Sequence, residues 1–471
     1  MTKKFLSVLL ILVCFSVQMY SQSVAEKLKK AIHTFLNDDQ LKHAVVSMYV
    51  TDTDGNKVFA LNEQYGLAPA STQKIFTSIT AFSLLGHDFT YKTEVGYNGT
   101  ISNEELNGDL IIKGYGDPSL GSWRWAQTKP DSILNFFIDA LKSAGIKKIK
   151  GNIILDDGAF SYNALPGGYI WADMGNYYGS GIWAINWREN QYDLILKPGN
   201  NVGDTSTLLR TNPPLAVDEY DNFITTADAG TGDNTILYTS PYSEKIFAEG
   251  TIPKGVNEFK VSGSIPYAAR QLKLELDSAL KQNSIYVTGD IITGASLIRK
   301  NVSIPSAQNN ITSYSSPTLD SLNYWFLQKS INLYGDALAK TIANKEDGIG
   351  STEKGVSEIK KFWQQNDIDS SALNISDGCG LSPQNRVTTY AEVNALLYAQ
   401  KQPWFQSFYN ALPTYNGMKL KSGTINSVRC FAGYHTASNG KKYVVSIIVN
   451  NYDESKGSVT QKIFKVLDAL K

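Results

Sequence analysis

The chain has 471 residues, of which 42% are hydrophobic and 19% are charged, and its 44 basic residues balance its 44 acidic ones. This length predicts more than one domain, and the composition is that of a folded protein without a disordered tract. The balanced charge argues against a nucleic-acid partner, because proteins that bind phosphate backbones present a basic face.

The first 22 residues have the pattern of a secretory signal peptide. Lys3 and Lys4 precede an apolar run over 5–17, and a polar stretch with the small residue Ser21 follows. This order is typical of a cleavable signal, and the run is short for a bilayer span, which makes a retained anchor the weaker alternative. The sequence therefore predicts export to the periplasm, with no transmembrane segment after cleavage.

The cysteine and histidine patterns predict neither a disulfide framework nor a metal site. Beyond the signal, the cysteines are Cys379 and Cys430, which leaves one disulfide or two buried free thiols open. The four histidines are scattered, and none has a ligand spacing such as His-Glu-x-x-His. We therefore expect a mechanism that uses no metal and no cofactor.

The amino-terminal part predicts the order helix, strand, strand, helix. Apolar residues at helical spacing predict a helix over 24–37. Two β-rich runs, 45–50 and 57–61, flank the turn signal Asp54-Gly55. Pro69 then introduces an apolar helix that Gly86 ends.

The middle of the chain, from about 89 to 300, has a mostly β pattern with one predicted helix, Asp131 to Ala144. Clusters of Gly, Pro, Asn and Asp separate its β-rich runs, which lie at 108–113, 151–156, 192–197, 259–263 and 284–292. Helical periodicity returns over 321–343 and 351–365.

The carboxy-terminal part predicts three strands and a final helix. The strands lie at 418–420, 428–435 and 443–449, and an apolar helical face follows over 459–470. Together with the two amino-terminal strands they form a five-stranded antiparallel sheet, flanked by the terminal helices, in an α+β fold. The middle of the chain is then an insert.

Ser71 and Lys74 form a Ser-x-x-Lys pattern at the start of the predicted helix, where a hydroxyl and an amine three residues apart share one face. A serine hydroxyl is a weak nucleophile until a base takes its proton. A partly desolvated lysine can serve as that base. The pattern alone is weak evidence, because it also starts at Ser278, Ser351, Ser357 and Ser438.

Two further elements support the site. Ser330 and Asn332 offer a hydroxyl that can relay a proton and an amide that can bind a substrate amide, although Ser-x-Asn also occurs at 161–163 and 321–323. Lys421-Ser422-Gly423 is the only Lys-[Ser/Thr]-Gly in the chain, and it lies on a predicted strand. Gly423 would let a substrate backbone approach closely. Lys421 would present a cation to a carboxylate, beside the hydroxyls of Ser422 and Thr424.

The order of these three elements resembles that of the penicillin-recognising serine enzymes, which include D,D-peptidases and serine β-lactamases. More narrowly, the chain resembles the D-alanyl-D-alanine carboxypeptidase/endopeptidases of peptidase family S13, the penicillin-binding protein 4 type of class C low-molecular-mass penicillin-binding proteins. The stretches that carry this resemblance are 68–74, 114–120, 156–160, 329–336, 377–382, 385–387, 420–424 and 432–434.

The resemblance implies a penicillin-binding transpeptidase-like domain, with a helical subdomain, that a β-rich insert of one or two domains interrupts. We predict a signal peptide and three domains, namely 1–22 as the signal, 23–88 with 302–471 as the catalytic D,D-peptidase domain, 89–118 with 197–301 as the β-rich insert domain, and 119–196 as a second, nested insert domain.

The resemblance also implies the substrate and the catalytic roles. The family removes the terminal D-alanine of peptidoglycan stem peptides and cuts D-alanyl cross-links, and β-lactams acylate the same serine. Ser71 would be the acyl-ester nucleophile, Lys74 the general base and Ser330 the proton relay.

The binding roles follow from the same resemblance. Asn332 would bind the substrate amide, and Lys421 would hold the terminal carboxylate and shift the pKa of Lys74. Ser422 and Gly423 belong to this binding strand. The backbone N–H groups of Ser71 and Thr424 would form the oxyanion hole.

The chain departs from the family pattern at two places. Cys379 stands where serine is common, and Pro383-Gln384 stands where a basic residue often follows Leu-Ser. The second departure leaves the preference for the diamino acid of the stem peptide open. The alternatives in function are a serine β-lactamase or esterase on the same fold, and a non-catalytic cell-wall binding module.

Overall fold

The computed structural model describes residues 23–471, so the predicted signal peptide lies outside the described residues. The α-helices are Val24–Leu36, Lys74–Leu85, Pro130–Ser143, Trp171–Met174, Ala268–Gln282, Gly294–Ile298, Leu319–Gln328, Asn332–Asp347, Thr352–Gln365, Thr389–Gln400, Phe405–Ala411 and Val459–Leu467.

The β-strands form several separate sheets. They are Val45–Asp52, Lys57–Leu61, Lys92–Tyr97, Thr100–Ser102, Glu105–Asn107, Leu110–Gly114, Lys148–Ile149, Ile153–Asp156, Gln191–Lys197, Thr207–Asn212, Glu219–Ala227, Asn234–Tyr238, Lys245–Pro253, Phe259–Ser264, Tyr286–Val287, Ile291–Thr293, Asn309–Ser315, Leu373–Asn374, Arg386–Val387, Thr414–Tyr415, Met418–Ile425, Val428–Thr436 and Lys442–Asn450.

The central sheet is antiparallel and is built from both ends of the chain. Five of its strands are the predicted ones, and the two-residue strand Thr414–Tyr415 adds an edge that the sequence did not predict. The order across the sheet is Lys57–Leu61, Val45–Asp52, Lys442–Asn450, Val428–Thr436, Met418–Ile425 and Thr414–Tyr415.

The two faces of the central sheet pack against different helices because side chains alternate along each strand. In strand Lys442–Asn450, Val445 and Ile447 pack in the cluster formed with the terminal helices, whereas Val444 and Ile448 pack in the opposite cluster. That opposite cluster contains the helices that carry the candidate site, so the site lies on the face away from the chain ends.

The chain between the central-sheet strands forms its own cores. A five-stranded sheet has the order Ile291–Thr293, Ile153–Asp156, Leu110–Gly114, Lys92–Tyr97, Asn309–Ser315. Residues of helices Pro130–Ser143 and Ala268–Gln282 belong to the hydrophobic cluster that includes this sheet. Two three-stranded sheets, with strands between 191 and 264, share a further cluster.

The prediction of a single helix in the insert was wrong, because the insert also contains the long helix Ala268–Gln282 and the short helices Trp171–Met174 and Gly294–Ile298. Leu272, Leu274 and Leu276 alternate with charged residues, a spacing typical of a strand. The buried positions, however, are Leu272, Leu276 and Leu280, which follow the helical period.

The predicted helical stretch 321–343 is interrupted. Helix Leu319–Gln328 ends, and Asn332–Asp347 begins, on either side of Ser330, which has a φ of +55°. A non-glycine residue with positive φ cannot continue a right-handed helix. Ser330 therefore lies between the two helices and belongs to neither.

The predicted domain boundaries stay a prediction. Strand Asn309–Ser315, which we placed in the catalytic domain, forms hydrogen bonds with strand Lys92–Tyr97, which we placed in the insert. Within residues 23–471, no helix has the length and hydrophobicity that crossing a membrane requires.

The helix Ala268–Gln282 gives a direct test of this fold. Leu276 is 1% exposed and Leu274 is 43% exposed. We expect Leu276→Ala to lower the free energy of unfolding by about 2–5 kcal/mol, because it leaves a cavity in the core. Leu274→Ala should change it by less than about 0.5 kcal/mol. Urea unfolding followed by tryptophan fluorescence measures both, and equal losses would contradict the helix.

Candidate active site

Ser71 lies on a tight turn that presents its side chain to a cavity. The turn is a 3-10 helix, Ala70–Gln73, followed directly by helix Lys74–Leu85. Ala70 has a φ of +45°, a strained value for a residue with a side chain. Ser71 is partly exposed, whereas Thr72, Gln73 and Lys74 are buried. The turn therefore exposes one hydroxyl above a buried amine.

Two glycines allow the neighbouring chain to approach this turn. A Cβ atom on Gly423 would lie 2.5 Å from the carbonyl oxygen of Pro69 and 3.0 Å from the nitrogen of Ser71. A Cβ atom on Gly380 would lie 1.8 Å from the carbonyl oxygen of Ala70. Only glycine fits at either position, because no real side chain tolerates such contacts.

The amine of Lys74 is buried and has three close oxygen partners. Its Nζ lies 2.9 Å from Oγ of Ser71, 2.7 Å from Oδ1 of Asn332 and 2.6 Å from the carbonyl oxygen of Cys379. Burial lowers the pKa of Lys74 below its usual value, although the carboxylates of Asp377 and Asp336 oppose the shift. A lowered pKa favours the neutral amine, which can accept a proton from Ser71.

Ser330 and Lys421 form a second hydroxyl–amine pair. The Nζ of Lys421 donates to Oγ of Ser330 at 3.0 Å and to the carbonyl oxygen of Ser422 at 2.8 Å. Lys421 is 1% exposed. Its pKa lies well below the usual value because of burial first, and then because of repulsion from Lys74 and Arg429.

Asn332 begins the helix Asn332–Asp347 and connects two parts of the chain. Its Oδ1 lies beside Lys74, and its Nδ2 donates to the carbonyl oxygen of Tyr178 at 2.9 Å. Tyr178 belongs to the insert. The sequence predicted a contact with substrate for Asn332, and it did not predict this contact with the insert.

The predicted binding strand, Met418–Ile425, borders the turn of Ser71. Oγ of Ser422 donates to the hydroxyl oxygen of Tyr415 at 3.2 Å, and Arg429 donates to the hydroxyl of Thr424. Strand Thr414–Tyr415 pairs only with Lys419 and Met418. Beyond these residues, no strand within residues 23–471 pairs with this edge of the sheet, although the carbonyl oxygen of Ser422 accepts from Lys421 and the N–H of Leu420 donates to Pro413.

Four of the predicted site residues, Ser71, Ser330, Asn332 and Thr424, line a cavity of about 670 Å³, whereas Lys74, Lys421, Ser422 and Gly423 are not part of its lining. Its walls combine residues of the predicted elements with residues of the insert, and they are Ser71, Ile170, Asp173, Tyr177, Tyr178, Ser330, Asn332, Gly380, Leu381, Pro383, Thr424, Ile425 and Asn426.

The sequence did not lead us to assign the insert residues of this wall to the site, because packing was the preferred interpretation of the aromatic cluster 171–187. Asp173 is the acidic residue of the lining, and Tyr178 donates to it at 3.2 Å. Burial raises the pKa of Asp173. Tyr177 and Tyr178 are 50% and 37% exposed, whereas Trp183 and Trp187 of the same aromatic run are buried. The available signal in the sequence was the tyrosine pair Tyr177-Tyr178, which begins four residues after Asp173.

The two cysteines are free and buried, which decides the alternative that the sequence left open. The Sγ of Cys430 lies 3.6 Å from the carbonyl oxygen of Ala68. The Sγ of Cys379 lies 3.2 Å from the hydroxyl of Tyr169. Cys379 contacts Nζ of Lys74 through its backbone carbonyl.

This geometry defines a class of protein. A serine hydroxyl beside a buried lysine amine, with a second serine–lysine pair close to it, is the arrangement of a penicillin-recognising serine acyl-transfer enzyme. The antiparallel sheet with helices on both faces agrees with that class.

The chain belongs to the D-Ala-D-Ala carboxypeptidase 3 (S13) family, whose model matches residues 28–470. It is 24% identical over 463 residues to a D-alanyl-D-alanine carboxypeptidase of Actinomadura sp. (strain R39), covering 90% of this chain and 81% of the relative. It is 26% identical over 444 residues to the D-alanyl-D-alanine carboxypeptidase DacB of Haemophilus influenzae, covering 88% and 87%. The predicted family is therefore confirmed, and with it an enzyme of the serine D-alanyl-D-alanine carboxypeptidase class.

The fold agrees with a solved structure. The crystal structure of penicillin-binding protein 4 (dacB) from Haemophilus influenzae matches with a TM-score of 0.79 and 21% sequence identity. The match covers 95% of this chain and 98% of the other. The predicted α+β fold, a penicillin-binding domain with β-rich additions, is confirmed.

The contact between Gly423 and the nucleophile turn can be tested directly. We expect Gly423→Ala to slow acylation by a fluorescent penicillin at least about tenfold, because the new Cβ must displace the Pro69 carbonyl or Ser71. Gly167→Ala is the matched control, since a Cβ there meets nothing within 4 Å. Stopped-flow fluorescence gives both rates. An unchanged rate for Gly423→Ala would show that the strand and the turn are not in contact.

Proposed function

We propose that this chain is a serine-type D-alanyl-D-alanine carboxypeptidase and D,D-endopeptidase that acts on peptidoglycan stem peptides and their cross-links through an acyl-enzyme on Ser71. The observation that carries the proposal is the 2.9 Å contact between Nζ of Lys74 and Oγ of Ser71 beside a peptide-sized cavity. Family membership supplies the substrate class.

The first step needs Lys74 as a neutral amine. Two of its N–H groups then donate to Oδ1 of Asn332 and to the carbonyl oxygen of Cys379. Its lone pair is left facing Ser71, whose O–H donates to it. As Oγ of Ser71 bonds to the carbonyl carbon of the penultimate D-alanine, its proton passes to Lys74.

The leaving amine needs a proton before the peptide bond breaks. Ser330 is placed to deliver it, because its hydroxyl lies at the cavity wall and is held by the amine of Lys421 at 3.0 Å. The proton that Lys74 takes up from Ser71 balances the one that Ser330 gives to the amine of the departing D-alanine. An ester on Ser71 remains, and water then attacks its carbonyl carbon and releases the shortened peptide.

Substrate binding uses the free edge of strand Met418–Ile425. The backbone N–H groups of Ser71 and Thr424 are proposed to stabilise the oxyanion, at about 3 kcal/mol per donor. Lys421, with Ser422 and Gly423 on the same strand, is proposed to receive the carboxylate end of the substrate. Asn332 retains one N–H for the substrate amide, since the other donates to Tyr178.

The same site is proposed to react with β-lactams, which mimic the acyl donor. Asp173 is the acidic residue of the cavity wall, and Tyr178 already donates to it. We propose that this hydrogen bond holds Asp173 in the wall, and that Asp173 does not activate the deacylating water. This favours a persistent penicillin adduct, and so a peptidase over a β-lactamase.

The proposed place of action is the periplasm. The support is the sequence of residues 1–22, with Lys3 and Lys4 ahead of an apolar run. The proposed substrate, peptidoglycan, lies in the same compartment.

The central experiment asks whether one penicillin adduct maps to Ser71. We expect mass spectrometry of the intact protein to show a single adduct, lost in Ser71→Ala, together with D-alanine release from a diacyl-D-Ala-D-Ala peptide. Ser438→Ala is the matched control, because it removes the serine of another Ser-x-x-Lys pattern. Full D-alanine release by Ser71→Ala would refute the proposal, and rapid turnover of a chromogenic cephalosporin would favour a β-lactamase.

The role of Lys74 predicts a pH dependence. The folded pKa of Lys74 is lowered, so acylation should be lost as the pH falls through that value and the amine gains its proton. Lys74→Arg should lose about 10²–10⁴-fold in acylation rate at every pH, because a guanidinium stays protonated. Acylation rates measured from acid to alkaline pH check both statements. A Lys74→Arg variant that still responds to pH like the wild type would exclude Lys74 as the base.

A further inference from the structure

A buried carboxylate lies directly behind the Lys74 site. Asp336 is 1% exposed and lies one helical turn after Asn332. Its Oδ1 accepts the N–H of Gly378 at 2.7 Å, and its Oδ2 accepts the hydroxyl of Tyr169 at 2.5 Å. Both oxygens are therefore occupied by donors from other parts of the chain.

Asp336 and Lys74 both form hydrogen bonds with the Gly378–Cys379 backbone. The carbonyl oxygen of Cys379 is 2.6 Å from Nζ of Lys74, and that of Gly378 accepts from Oγ1 of Thr77 at 2.7 Å. Thr77 lies on the same helix as Lys74. A Cβ atom on Gly378 would lie 2.3 Å from the carbonyl oxygen of Gly335, so this backbone is packed without spare room. A displacement of Gly378 would therefore move the adjoining carbonyl oxygen of Cys379, which accepts from Lys74.

The second donor to Asp336 comes from the insert. Tyr169 lies between strands Ile153–Asp156 and Gln191–Lys197. Nine residues later, the carbonyl of Tyr178 accepts from Asn332. Apart from Ser71, the acceptors of Lys74 are Asn332 and the carbonyl of Cys379. The insert segment 169–178 contacts Asn332 directly through Tyr178, and it reaches the backbone before Cys379 through Tyr169 and Asp336.

Asp336 also contributes charge. The titratable groups near Lys74 are Asp336, Asp377 and Cys379, together with Lys421. Burial, and then the neighbouring Asp377, raises the pKa of Asp336 to about 6. Above that pH it is an anion that favours the protonated form of Lys74.

We propose that Asp336 and Tyr169 are positioning residues of the reaction: Asp336 fixes the Gly378–Cys379 backbone against Lys74, and Tyr169 makes that contact depend on the insert. The inference rests on the proposed role of Lys74 as general base. By this inference the insert helps to position the amine of Lys74, in addition to lining the cavity.

The test compares acylation by fluorescent penicillin across pH in the full-length protein. The variants are Tyr169→Phe, Asp336→Ala and Asp336→Asn, each checked for a folded state by circular dichroism. The matched control is Tyr267→Phe, because Tyr267 donates to Asp157 at 2.5 Å in an equally buried tyrosine–aspartate pair of the insert core. Melting temperatures separate a loss of stability from a loss of rate.

We expect Tyr169→Phe to slow acylation about tenfold, because it leaves a buried carboxylate oxygen unpaired, while Tyr267→Phe stays within about twofold of the wild type. Asp336→Ala should lose more than about tenfold. Asp336→Asn should recover most of that loss, since its oxygen still accepts from Gly378 and its amide can donate to Tyr169. The fall in acylation rate at acid pH, which we call the acidic limb, should move to lower pH in Asp336→Asn, because the anion that favours protonated Lys74 is gone.

Three results would overturn the inference. They are equal slowing by Tyr169→Phe and Tyr267→Phe, a wild-type rate in Asp336→Ala, and an acidic limb in Asp336→Asn that coincides with that of the wild type. If Asp336→Ala does not fold, the comparison of Tyr169→Phe with Tyr267→Phe and the pH profile of Asp336→Asn still test the inference. Failure of the proposed function looks different, because a penicillin adduct would then persist in Ser71→Ala.

Discussion

The rest of the structure depends on keeping one lysine amine out of water. Removing an amine from water is costly unless polar partners replace the solvent, and Lys74 has three such partners. They come from the turn of Ser71, from the helix start at Asn332, and from the loop at Cys379, which is 305 positions away in sequence. The site therefore exists only when distant segments of the chain have packed together.

The sequence predicts those parts that local rules determine. The five main strands of the central sheet follow from hairpin signals and alternation, and Ser71, Ser330 and Lys421 follow from short spacings that place chemistry on known elements. It does not predict the break at Ser330, because a positive φ at a serine is imposed by packing. It also misses Tyr169 and Asp173, whose roles are tertiary contacts without any local period.

The cysteine that departs from the family pattern has a structural explanation. Residue 379 contacts Lys74 through its carbonyl oxygen, a group that every amino acid carries. Its side chain points instead to the hydroxyl of Tyr169, and burial raises the pKa of the thiol well above its usual value. A buried neutral thiol behaves as a small apolar group. The exchange of serine for cysteine therefore leaves the partner of the base unchanged.

The orientation of the Asn332 amide is set from both ends. A carbonyl oxygen can only accept, so Tyr178 requires the NH₂ group of Asn332 on its side. The amide oxygen must then face Lys74, which donates to it. If the amide were reversed, its NH₂ would compete with Ser71 for the lone pair of the neutral amine. The insert carbonyl thus keeps that lone pair directed at Ser71, which connects the insert to the chemistry through one hydrogen bond.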